Sequence, residues 1–163
     1  TLHMRPQIAE LSPPFHEQLG LAAGLRQLVN RFRQSYSCKV KLHIGKLPKL
    51  AGDFQIVVYR LAQECLKNIS QHSHAKNVNI SVSTSYGVLR LRVVDDGIGF
   101  DVQEGPGRKH CFGLLGMRER VALLGGSFQI RTTPQSGELK ARVRNSGTDI
   151  DIQIPIPHNY PST

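Results

Sequence analysis

Between Asp95 and Gly116 the chain reads DDGIGFDVQEGPGRKHCFGLLG, with six glycines and one proline. That is too many for the interior of a helix or a strand, so the fold must be built around a long irregular segment. A loop of that length is uncommon in a compact domain unless it serves a ligand or a partner. The regular elements must come from its flanks.

Upstream, Leu19, Ala22, Ala23, Leu25, Leu28, Val29 and Phe32 recur near a helical period after Pro13-Pro14, which predicts a helix from Glu17 to about Tyr36. Residues 39–44 (KVKLHI) alternate as a strand does. Ala51-Gly52-Asp53 leads into a second helix, capped by Asp53 and running through about Ser73. Alternating segments 78–82 and 88–94, joined through Ser85-Tyr86-Gly87, predict a hairpin. Downstream of the glycines a helix is expected from Leu114 to Leu124, stopped by Gly125-Gly126, followed by strands at 127–132, 139–144 and 149–156. With 163 residues, 39% of them hydrophobic, there is material for one core. The fold class expected is α/β, a two-layer sandwich with a mixed sheet covered on one face by helices.

A net charge of +9 directs attention to polyanions. Arg26, Arg31, Arg33, Lys39, Lys41, Arg90, Arg92, Arg108, Lys109, Arg118 and Arg120 are scattered, with no basic run interleaved with aromatics, so nucleic acid is set aside as a partner. A nucleotide polyphosphate or an acidic protein accounts for the charge as well. Cys38, Cys65 and Cys111 are odd in number and far apart, which favours neither a disulfide framework nor a zinc site and suits a reducing cytosol. No apolar run approaches the roughly 20 residues that cross a bilayer. The domain is expected to be cytoplasmic, with any inner-membrane anchor elsewhere in a longer parent.

Glu64, Asn68 and His72 are four apart on the second helix and span an arc of roughly 80° at its usual turn. Leu61, Ala62, Cys65, Leu66 and Ile69 fill the adjacent arc, so the polar trio borders the buried face. Glu and Asn oxygens suit a hard cation such as Mg²⁺, which takes few protein ligands; a solvated helix flank is the plain alternative. In Val93-Val94-Asp95-Asp96-Gly97-Ile98-Gly99 a strand delivers a carboxylate beside two glycines that admit a ligand against bare backbone. Phe112-Gly113-Leu114-Leu115-Gly116-Met117 opens a helix, where free N–H groups and the dipole favour phosphate.

In this order and spacing the three segments resemble the N, G1 and G2 boxes of the ATPase fold shared by histidine kinases, gyrase-type topoisomerases, mismatch-repair ATPases and heat-shock chaperones. YRLAQECLKNISQH (59–72) and FGLLGMRER (112–120), with Leu124-Gly125-Gly126, are most similar to sensor histidine kinases of the nitrate-sensor-like subfamily. The resemblance spans about Leu19 to Pro157. It implies that Asp95 binds the adenine amino group while Gly97 and Gly99 let the ring approach. It implies also that Asn68 holds Mg²⁺ and phosphates, that Glu64 holds or polarises a water on the metal, and that His72 lies near the phosphates. Residues 101–111 would be the lid over ATP. Gly113 and Gly116 would stand at its hinge and at the phosphates, Leu114 and Met117 would join them in binding ATP, and Thr148 in Ser146-Gly147-Thr148 would stand near the polyphosphate. The sequence departs from the subfamily at Gln71, where a basic residue is usual, at Ser73, where alanine is usual, and in about ten extra residues between Gly137 and Gly147.

The resemblance further implies transfer of the ATP γ-phosphate to a histidine on an upstream dimerisation domain of the same homodimeric parent, and from there to a response regulator. His16-Glu17 looks like an acceptor, but Leu19-Gly20-Leu21 lies where the subfamily ends its second dimerisation helix. Residues 1–36 are therefore expected to be the remnant of that helix, 37–157 the ATP-binding catalytic domain, and 158–163 a tail. A degenerate nucleotide-binding module and an ATPase that only hydrolyses ATP remain as alternative readings.

Overall fold

A computed structural model describes residues 20–99, 109–133 and 146–158. Helix α1 (Gly20–Ser35) leads to strand β1 (Lys39–Ile44), helix α2 (Gly52–Asn68), strands β2 (Asn77–Ser85) and β3 (Val88–Asp95), helix α3 (Lys109–Leu123), and strands β4 (Ser127–Thr133) and β5 (Gly147–Pro155). The strands form one sheet in the order β1-β2-β3-β5-β4. β1 runs parallel to β2 and every other pair is antiparallel, so the sheet is mixed as expected.

Period-two alternation sorts the two faces. Val78, Ile80, Val82, Leu89, Leu91, Val93, Ile150, Ile152 and Ile154 point to the helices and are buried. Each such side chain contributes about 1.5–3 kcal/mol by leaving water, so Leu91→Ala would open a cavity at the centre of the sheet. The opposite face is polar. There Arg90 grips Asp151 (Nε to Oδ1, 2.8 Å) and Arg92 grips Asp149 (2.7 and 3.0 Å), two forked pairs on neighbouring strands. Leu21, Leu25, Leu28 and Val29 of α1 sit in the same core as Phe54, Val58, Leu61 and Leu66 of α2. Residues 20–35 are thus folded into the unit that carries the sheet, although the expected division at residue 36 set them apart; residues 1–19 lie outside the described residues.

Three local expectations are corrected. The second helix is capped at Ala51, not Asp53: Asp53 lies in the first turn and its Oδ1 accepts the N–H of Phe54, the next residue, while no side chain caps the end. Its last turn, Ile69–Ser73, is π-helical and ends at His74 with φ 51°. The third helix starts at Lys109, five residues before Leu114, so Gly113 and Gly116 are helical. The penalty of about 1 kcal/mol for a helical glycine is overridden by packing: Met117 and Val121 are fully buried, and Gly113 makes the close approach described below. Of the expected lid, 101–108 lie outside the described residues, as does the expected strand at 139–144.

Candidate functional site

Asp95 ends β3 on the helix-facing side and is only 7% exposed. Its Oδ1 accepts the N–H of Gly97 at 2.8 Å, and the backbone of Thr148 donates to it as well. Burial pushes its carboxyl above the usual value of 3.8, Asp96 adds to this by repulsion, and the backbone donors partly offset the rise. Thr148, 9% exposed, is the register partner of Asp95 across β3 and β5. The strand begins at Gly147, two residues earlier than the sequence suggests, so Thr148 is held by the sheet ladder.

The glycines after Asp95 are there for contact. A Cβ on Gly97 would run into the carbonyl oxygen of Ser73, and at Gly99, with φ 64°, it would meet Thr132 Oγ1 at 2.9 Å. The Ser73 carbonyl also accepts the N–H of Ile98 at 2.8 Å, while the Ser73 hydroxyl accepts the N–H of Ala75 at 3.1 Å. Ser73, taken from the sequence as a minor departure, is the buried seat of this turn. Asp96 is a second residue the sequence does not single out. Burial alone would raise its carboxyl, but the Asn77 side chain (2.7 Å) and the N–H groups of Asn77 and Lys76 (2.8 and 2.9 Å) overcome that and lower it. It staples the turn to the start of β2. The cue in the sequence is the doubled acid at a strand end.

The second part of the site is carried by helices. Glu64 and Asn68 lie one turn apart on α2, and a Cβ on Gly113 of α3 would stand 2.6 Å from Glu64 Oε1 and 3.6 Å from Asn68 Oδ1. The absence of a side chain at 113 is what lets the two helices meet at this point. The amide nitrogen of Asn68 is buried with no acceptor among the described residues. A buried unpaired donor costs about 1–3 kcal/mol, so its persistence calls for a ligand or other explanation. An anionic oxygen fits the nitrogen, and a hard cation fits Asn68 Oδ1 and the Glu64 carboxylate. His72 is half-buried in the π-helical turn, a distortion often found at functional sites.

The remaining G2 residues divide. Leu114 packs on the core from its edge; Met117 is 1% exposed with its sulfur 3.9 Å from Cys65 Sγ, so its side chain belongs to the core. Gly116 has open space where a Cβ would stand. The structure thus gathers Asp95, Gly97, Gly99 and Thr148 at the sheet end, and Glu64, Asn68 and Gly113 where α2 meets α3.

A buried carboxylate on bare glycine backbone and a helix pair with a buried amide donor that has no acceptor among the described residues have chemistry that suits a nucleotide. Residues 54–158 match the family of histidine kinase-, DNA gyrase B-, and HSP90-like ATPases, and the chain belongs to that family of ATP-binding domains. It is 35% identical over 141 residues to the signal transduction histidine-protein kinase/phosphatase DegS of Brevibacillus brevis, covering 86% of this chain and 33% of that protein. The DegS of Bacillus subtilis (strain 168) is 38% identical over 120 residues, covering 70% of this chain and 31% of that one. The chain therefore spans about a third of the length of the curated relatives it matches. Among solved structures, the blue-light activated histidine kinase EL346 of Erythrobacter litoralis shares the fold, with a TM-score of 0.65 at 21% identity over 84% of this chain and 42% of that one. No helix among the described residues is long and apolar enough to cross a membrane.

Proposed function

We propose that this chain is the catalytic domain of a sensor histidine kinase, binding ATP with Mg²⁺ and passing the γ-phosphoryl group to a histidine on a dimerisation domain upstream in a homodimeric parent. A response regulator receives the phosphate next. The observation that carries the reading is the buried amide of Asn68 beside Glu64, without an acceptor among the described residues, taken with relatives whose names are those of histidine kinases.

In this reading Asp95 accepts a hydrogen bond from the adenine amino group while Gly97 and Gly99 leave the ring room. The Asn68 nitrogen donates to a phosphate oxygen and thereby gains the partner it lacks. Asn68 Oδ1 and Glu64 would hold Mg²⁺, which would neutralise phosphate charge. Transfer forms a bond between phosphorus and a histidine ring nitrogen as the bond from the γ-phosphorus to the β–γ bridging oxygen breaks, and ADP leaves with that oxygen. Glu64 would hold or polarise a water on the metal. The rest is positioning.

Incubating the chain with labelled ATP, Mg²⁺ and the upstream domain tests this. Acid-labile label is expected on the supplied domain and none on His16 of this chain. Glu64→Gln should retain most ATP affinity and slow transfer by about 10²–10⁴, whereas Asn68→Asp should impair both. A wild-type chain that binds ATP and labels no histidine would instead be the degenerate nucleotide-binding module.

A further inference from the structure

Asp95 and Asp96 point to opposite faces of the sheet: the first is buried on the helix side, the second exposed on the polar side. Asp96 nevertheless has the fuller set of donors. Its Oδ1 accepts the N–H groups of Lys76 (2.9 Å) and Asn77 (2.8 Å), its Oδ2 accepts the Asn77 side chain (2.7 Å), and its own N–H reaches the Asn77 carbonyl at 3.2 Å. An exposed carboxylate can be satisfied by water, so this many contacts to one short segment are more than solvation requires.

Two residues on, the Ile98 N–H is fixed to the Ser73 carbonyl at 2.8 Å, the same oxygen that leaves no room for a side chain at Gly97. The turn 96–98 is therefore fastened at both ends to the connector 73–77, which runs from the π-helical turn to β2. Between the two fastenings lies the N–H of Gly97, which donates to Asp95 Oδ1 at 2.8 Å. The peptide joining Asp96 to Gly97 decides where that N–H points, and through it where the Asp95 carboxyl group is held. Hydrogen bonds weaken steeply below about 120°, so a small rotation of this peptide is enough to spoil a contact made by Asp95 on its far side.

We propose that Asp96 is a positioning residue: clamped by Lys76 and Asn77, it fixes the peptide that presents the Gly97 N–H to Asp95 and so aims the Asp95 carboxylate at the 6-amino group of the purine. This rests on the reading of Asp95 as the adenine acceptor and deepens it. Asp96 acts on base selectivity from the opposite face of the sheet, through Asp95, and touches no part of the nucleotide itself.

Calorimetry with Mg²⁺ tests this by setting ATP against the triphosphate of purine riboside, which carries hydrogen where ATP carries the 6-amino group. The wild type should prefer ATP by about tenfold or more, the worth of one hydrogen bond to a charged acceptor. Asp96→Ala should bring the two affinities within about threefold, by weakening ATP alone. Asn77→Ala leaves Asp96 its two backbone donors; it should lose part of the preference, and it carries the test if Asp96→Ala does not fold. Asp96→Asn keeps an oxygen for those two N–H groups and, with the Asn77 amide turned over, a side-chain contact, so it should restore most of the preference. Both alanine variants should melt lower, as removal of any staple would, which is why the readout is the ratio of affinities. A ratio unchanged in both alanine variants overturns the proposal, as does a loss shared equally by ATP and the analogue, the mark of general damage. A wild type that binds both alike, or neither, removes the adenine contact of Asp95 itself before any variant is made.

Discussion

At the sheet end of the site Asp95 already receives N–H groups from Gly97 and Thr148, whereas at the helix end the Asn68 nitrogen is buried without an acceptor among the described residues. The glycines follow the same division. Added atoms at Gly97 meet backbone of Ser73, while an added atom at Gly113 meets the movable tip of Glu64. Under the proposed function the sheet end would take the base by fit. The helix end is held together by packing, and the Asn68 amide would gain from a phosphate the acceptor it lacks among the described residues.

Substitution at Asp95 should give the largest effect. Asp95→Asn replaces an acceptor with a group that can donate, and a hydrogen bond to a charged partner is worth about 1.5–3 kcal/mol. ATP affinity should fall roughly tenfold to a hundredfold by calorimetry, and an unchanged value would remove the sheet end from the site. Next come matched alanines. Gly97→Ala should cost about 1–3 kcal/mol in denaturant unfolding, the range for overpacking, because Ser73 backbone cannot yield cheaply. Gly113→Ala should cost much less, since Glu64 can swing away, and Gly116→Ala should stabilise by up to about 1 kcal/mol, having open space in a helix. Equal losses at 97 and 113 would erase the contrast.

Asn68→Ala sharpens the comparison from the other direction. Removing an unpaired donor should leave the melting temperature of the nucleotide-free protein level or slightly raised, while the rise normally produced by ATP with Mg²⁺ disappears. A clear drop in the free protein would mean that the amide has a structural partner.

The smallest effect is on pH. Asp95, raised by burial, contributes stability that is in place below its ordinary value of 3.8 and lost as pH rises through its folded value. Asp149, lowered first by its hydrogen bond from Arg92, contributes stability in place above 3.8 and lost as pH falls through its folded value. Carboxyl-carbon NMR titration should place the two on opposite sides of 3.8. ATP affinity should weaken as acid protonates Asp95, before ordinary carboxylates titrate.

The sheet was legible because its strands carry strict alternation: KVKLHI was delimited to the residue, and β2 and β3 extended beyond their expected ends by three residues or fewer. Asp95 and its glycines stood out only through the order of the three segments, since a strand running into Asp-x-Gly-x-Gly also describes an ordinary turn. The start of α3 was not legible. Local glycine propensity argues against a helix at 113–116, and what decides the matter is a contact with Glu64, 49 positions earlier in the chain. The π-helical turn and the seat at Ser73 were hidden likewise, because they depend on how the end of α2 meets the turn after β3.

The two forked arginine pairs on the open face have a consequence for the distant site. Apolar alternation forbids β5 from slipping by one residue against β3, since that would turn isoleucines outward, but it is indifferent to a slip of two. Arg90 with Asp151 and Arg92 with Asp149 add contacts that cross the strands diagonally, since Arg90 stands opposite Gln153 and Arg92 opposite Asp151. Each fork reaches the aspartate two positions nearer the site, and together they brace the alignment that sets Thr148 across from Asp95.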